Sequence, residues 1–176
     1  MDKTFQKLLQ TDIDLSSLGV ERRTDNEPYF CTPKGASVFG WTGVDGIHFC
    51  FVRGFGGMVF AVSPANTFPN YVHPLAKNFA DFLRLLLACG DVAALEQAWM
   101  WDKARFETFL QDNPPTQEQQ ETLALVATKL KLMPMERPWA YIKELQASFD
   151  YSKIKYTKEY YDVVDQNAKP AIPEWK

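Results

Sequence analysis

Gly46 to Val62 reads GIHFCFVRGFGGMVFAV. Two apolar runs flank Gly54-Phe55-Gly56-Gly57, and the first run carries His48, Cys50 and, at its end, Arg53. The stretch has two readings: a phosphate-binding or catalytic site, or two strands and their turn. A phosphate cradle sets its glycines at the entry to a helix, where backbone N–H groups and the helix dipole face the anion. Here the glycines lead into Met58-Val59-Phe60-Ala61-Val62, a strand by composition, with neither G-x-G-x-x-G spacing nor a following Lys-Ser/Thr. A hairpin is the better reading, with the glycines supplying positive φ at the turn.

Outward from this hairpin, the preceding block is also β-rich. YFCT (29–32) and SVFGW (37–41) read as strands around the turn cluster Pro33-Lys34-Gly35. Val44-Asp45-Gly46 contains an Asp-Gly pair, the strongest short hairpin signal. Strands joined by such short turns form an antiparallel meander, because parallel pairing needs long crossovers. The sheet is expected to hold four to six strands, with room for a further edge strand from residues 150–165.

After the Pro/Asn-rich segment 63–70 the period changes from two to 3.6. Asn78 is an N-cap with Asp81 near the positive helix end, and Phe79, Phe82, Leu83 and Leu86 follow at helical spacing as far as Gly90. Asp91 and Asp102 cap two more helices, the first with Leu95, Ala98 and Trp99, the second with Phe106, Phe109 and Leu110. Asn113-Pro114-Pro115 ends the second. Thr116 and Gln119 form a capping box for a helix that Pro134 stops, and Trp139 to Phe149 reads as one more. Residues 2–10 form a short N-terminal helix. The fold class is α+β: an antiparallel sheet in the N-terminal half, packed by helices from the C-terminal half. Residues 1–133 read as one domain, and 134–176 as an aromatic-rich extension packing on it. The last 25 residues read as extended or irregular.

Composition narrows the function. The chain has 176 residues, 46% of them hydrophobic, enough to bury about 70% of its unfolded surface without a metal or disulfide. A net charge of −3, with no large Lys/Arg cluster, predicts no nucleic-acid partner. No apolar run approaches the roughly 20 residues of a membrane helix. The N-terminal MDKTFQKLLQTDID lacks a secretory pattern, and Cys31, Cys50 and Cys89 match no disulfide or zinc framework. These features predict a cytoplasmic protein with reduced thiols, no membrane association, no metal and no cofactor.

His48 and Cys50 share a strand face, which could place a thiol beside a base or two metal ligands together. A metal needs further ligands, and only His73 and Cys31 could be brought in by the fold. The alternative is a small apolar cysteine and a histidine at the sheet surface. The carboxylates Asp81, Asp91, Glu96, Asp102 and Glu107 read as helix caps and solvated faces, and no G-x-S-x-G or H-E-x-x-H motif occurs. Trp99 and Trp101 cannot face the same way on a helix, so one of them should be exposed.

The order of features resembles the SUKH superfamily, which includes bacterial toxin-immunity proteins and the yeast cell-wall-synthesis regulator. NFADFL at 78–83 matches that family's Ser/Asn-Phe-x-x-Phe-Leu helix, and IHFCFVRGFGGMVFAVSP at 47–64 resembles the strand pair before it. The similarity spans about residues 37–90. It implies a non-enzymatic α+β domain that binds partner proteins, among them a toxin in the case of an immunity protein. The residues expected to meet a partner are His48, Arg53, Phe55 and Trp101. The competing expectation is a small enzyme or ligand-binding protein using His48, Cys50 and Arg53, with His73 from the loop. A third is a homo-oligomer joined through Trp101 or the aromatic tail.

Overall fold

A computed structural model describes residues 2–23 and 27–168. Four strands form one sheet in the order β1 (Ala36–Trp41), β2 (His48–Val52), β3 (Val59–Val62) and β4 (Val72–Ala76), each antiparallel to its neighbour. The helices among the described residues are α1 (Lys3–Leu9), α2 (Phe79–Cys89), α3 (Ala93–Gln97), α4 (Lys103–Asp112), α5 (Gln117–Leu130), α6 (Pro138–Ser148) and α7 (Lys158–Ala168). The protein is therefore α+β, with its sheet in the N-terminal half and most helices in the C-terminal half. None of these helices is long and apolar enough to cross a membrane.

The hairpin turns form as their residues require. Asp45 and Gly46 both take positive φ (51° and 67°) between β1 and β2. Gly54 (φ 96°) and Gly56 (φ 63°) do the same between β2 and β3. The helix ends follow local chemistry too. The Asn78 side chain accepts from Asp81 N at 2.8 Å, Asp102 accepts from Arg105 N at 2.8 Å, and Thr116 and Gln119 close the reciprocal capping box. The α5 helix ends at Leu130, ahead of Pro134, where Lys131 turns left-handed at φ 56°.

Three segments depart from the sequence reading. Tyr29 to Thr32 is a turn and not a strand: Thr32 N donates to Tyr29 O at 2.9 Å, and Tyr29 N donates to Thr32 Oγ1 at 2.9 Å. The threonine side chain satisfies the backbone locally and removes the need for a ladder. Conversely, β4 was hidden by Pro74. Proline cannot donate to a ladder, but β4 is an edge strand paired only with β3, where that loss is tolerated. Finally, residues 150–165 add no edge strand, since within the described part of the tail α7 is helical from Lys158 to Ala168 and buries Tyr160, with Val164 packed beside it, one turn apart. Trp175 lies outside the described residues.

Side chains alternate across β2, and both faces of the sheet are covered. On one face, Phe39, Phe49 and Phe51 meet α1 and α2, with Phe49–Phe82 ring centroids at 5.6 Å and Phe39–Phe79 at 5.4 Å. On the other, Cys50, Val52, Phe60, Val62 and Val72 pack with Cys31, Tyr71, Ile154 and Tyr160. The aromatic tail thus forms the second cover of the sheet. The backbone joins in where Lys34 N donates to Lys155 O at 2.7 Å.

Candidate functional site

His48 opens β2 and is fully buried. Its Nδ1–H donates to the Gly46 carbonyl at 2.8 Å, since a carbonyl can only accept. Its Nε2 is then the acceptor, and Thr32 Oγ1 lies 3.1 Å away. Trp41 and Tyr29 pack on the ring with centroids at 4.6 and 5.9 Å. Burial pushes its pKa below 6.5, opposed by the Gly46 carbonyl. His48 is thus a neutral, fully bonded core histidine, with no nitrogen left to act as a base and no surface for a partner.

The other expected residues lie elsewhere. Cys50 shares the strand face of His48 but is buried, and desolvation pushes its thiol up to about 12. Cys31 and Cys89 are raised to about 12 for the same chief reason. Arg53 is exposed just past the far end of β2, and its backbone N donates to Gly35 O at 3.2 Å. Phe55 is half-buried, with its ring 5.3 Å from Phe60 and 5.5 Å from Phe149. Trp101 lies in the α3–α4 connection, buried against Phe109 and Arg105, while its carbonyl accepts from Trp139 Nε1 at 3.1 Å. A buried Trp101 cannot serve as an oligomer contact. The exposed residue beside it is Met100. The chain does not gather His48, Arg53, Phe55 and Trp101 into one site. Nor do three or more His, Cys, Asp or Glu come together as metal ligands among the described residues.

A different cluster does form, beside the edge strand β4. A groove of about 680 Å³ opens between the 69–73 segment, Trp99, one face of α6 and the tail. His73 stacks on Trp99 at 4.7 Å and 9° between planes, and its Nδ1 lies 3.4 Å from the Tyr151 hydroxyl. Tyr156 and Tyr160 stack at 3.8 Å and 9°. Lys143 Nζ donates to the Trp99 carbonyl at 2.7 Å, and Gln146 Nε2 donates to the Pro74 carbonyl at 3.2 Å. His73 is held neutral, pushed down to about 4 by burial, with the Asn70 backbone opposing and the Lys143 ammonium adding to the shift. Desolvation also raises the Tyr156 and Tyr160 phenols and lowers Lys143. His73 Nε2 and Trp99 Nε1 are buried without a hydrogen-bond partner among the described residues.

A second groove of about 620 Å³ lies across the same loop, between Phe68 and Tyr71 and the α7 residues Val163 and Val164. The loop contains a cis Phe68–Pro69 peptide. Phe68 and Tyr151 line the two grooves and are exposed, at 54% and 41%, and Tyr161, its ring 5.3 Å from that of Tyr160, is exposed at 51%. The sequence signal for this surface was the aromatic density of residues 134–176, together with His73 and Trp99. What it lacked was their meeting point, which depends on β4 and α7. Comparison with protein-family models, curated proteins and solved structures finds no match to the chain.

Proposed function

We propose that the chain is a non-enzymatic, cytoplasmic protein-binding domain of SUKH type, and in its narrower form an immunity protein that neutralises a toxin. The observation that carries this reading is a set of exposed aromatic side chains: Phe68 and Tyr151 in the linings of two concave grooves, and Tyr161 beside the groove residue Tyr160. Tyrosine and exposed apolar patches of this kind mark protein interfaces. The helix that carries NFADFL packs on the sheet: Asn78 caps α2, and Phe79 and Phe82 lie against β2. The competing use of His48, Cys50 and Arg53 draws no support from their geometry. Both His48 nitrogens are engaged, the Cys50 thiol is buried, and Arg53 stands at the other end of β2.

The test is co-expression of the chain with the products of its neighbouring genes, followed by calorimetry on the purified pair. The reading predicts one neighbour that binds stoichiometrically and whose toxicity the chain suppresses. Failure of every neighbour to bind would remove the immunity form.

A further inference from the structure

The groove beside β4 combines ring walls with a cation. Among the described residues no Asp or Glu lines it, and the charged lining residue is Lys143. The Lys143 ammonium uses one of its three N–H donors on the Trp99 carbonyl and forms no ion pair among the described residues. Its Nζ also lies 5.9 Å from the Trp139 ring centre, so a carbonyl and a ring fix the charge in place. His73 is neutral, so it neither adds to nor cancels that charge. The flat faces come in two parallel stacks, His73 on Trp99 and Tyr156 on Tyr160. Trp99 Nε1–H, a donor only, has no acceptor among the described residues, although reaching it requires a groove wall to move. Both demands, for negative charge at Lys143 and for an acceptor near Trp99, are met by the same chemistry. A volume of about 680 Å³ lies within the usual range for small-molecule sites.

We propose that this groove binds a small planar aromatic carboxylate, its ring against the Trp99 and Tyr156 walls and its carboxylate on Lys143 Nζ. The inference stands apart from the protein-binding reading, because it needs no partner protein and rests on the Lys143 side of the surface. Offset ring contacts supply the apolar part of the affinity, and a charge-assisted hydrogen bond selects the acid over its neutral analogue.

The test is calorimetric titration of the full chain with 2-naphthoate and with neutral 2-naphthamide. The acid should bind at least about tenfold more tightly than the amide. Lys143→Gln should bring the acid down to the level of the amide and leave the amide unchanged, whereas Lys143→Arg should keep the preference. Raising salt from about 0.05 to about 0.5 M should weaken the acid alone. A readout that needs no variant is the amide and ring NMR shifts of His73, Trp99 and Tyr156 in the unaltered chain, which should move on adding the acid. Equal binding of acid and amide would overturn the proposal. So would the absence of saturable acid binding up to about 10 mM, or shifts confined to other parts of the surface.

Discussion

Thr32 Oγ1 lies 3.1 Å from His48 Nε2, with both residues buried. The contact is the middle of a chain: Tyr29 N donates to the Thr32 hydroxyl, the hydroxyl donates to His48, and His48 donates to the Gly46 carbonyl. It ties the 29–32 turn to the turn between β1 and β2. Thr32→Val keeps the shape but strands Tyr29 N and His48 Nε2. It should cost about 1–3 kcal/mol in urea denaturation, with affinity for a partner protein unchanged. A loss of partner binding with stability intact would contradict the structural role assigned to His48.

Both histidines have pKa values below the ordinary 6.5, chiefly because burial disfavours the charged ring. Above about pH 7.5 they are neutral whether folded or unfolded, so they make stability independent of pH there. Below it the unfolded chain takes up protons that the folded chain refuses. Stability is therefore lost as the pH falls, and for His73 the loss continues down to its folded value of about 4. His73→Phe keeps a ring against Trp99 and removes this share. Between pH 7.5 and 5 the unaltered chain should lose about 2 kcal/mol more than the variant. Equal losses in parallel urea titrations would contradict the burial of His73.

The three thiols are buried and raised to about 12 by desolvation. A thiol reagent should leave all of them unmodified in the native protein at neutral pH and modify all three in urea. Cys31 and Cys50 lie under the tail, whereas Cys89 lies with the α2 core. Ile154→Ala should therefore speed modification of Cys31 and Cys50 ahead of Cys89, as read by mass spectrometry of the labelled peptides. Uniform acceleration of all three would show that the tail is no separate cover.

Phe82 is fully buried between α2 and the hairpin, 5.6 Å from Phe49 and 5.8 Å from Phe39 by ring centroids. Phe82→Ala should cost about 3–5 kcal/mol, and Asn78→Ala, which removes the cap of the same helix, about 1 kcal/mol. Thermal or urea unfolding would separate the two. A Phe82 effect no larger than that of Asn78 would mean that α2 does not rest on the sheet as described.

Local chemistry made much of this fold legible. Asn78, Asp102 and the Thr116–Gln119 box act on backbone within three residues, and the hairpin turns need only their own glycines. Longer-range determinants were hidden. Pro74 argues against a strand until its edge position is known. Gly40 looks like an ordinary strand glycine, yet a Cβ there would overlap Val20 Cγ1, a contact that only the folded chain reveals. His48 and Cys50 do share a face, as their spacing implies, but the spacing said nothing of Thr32, which turns His48 into a core group. The β4 groove draws on the 69–73 segment, Trp99, α6 and the tail, from Pro69 to Tyr160 in sequence. No local pattern could have assembled it.

The central claim is that a partner protein contacts the exposed aromatic side chains Phe68 and Tyr161, and that His48 has no part in binding. Its most direct test is the dissociation constant of a purified neighbour-gene partner for the unaltered chain, for Phe68→Ala/Tyr161→Ala and for Thr32→Val. Phe68 and Tyr161 are exposed, so their loss should leave unfolding unchanged while weakening the partner at least about tenfold. Thr32→Val should leave the constant as it was. Undiminished binding by the double variant, or weakened binding by a folded Thr32→Val, would contradict the account.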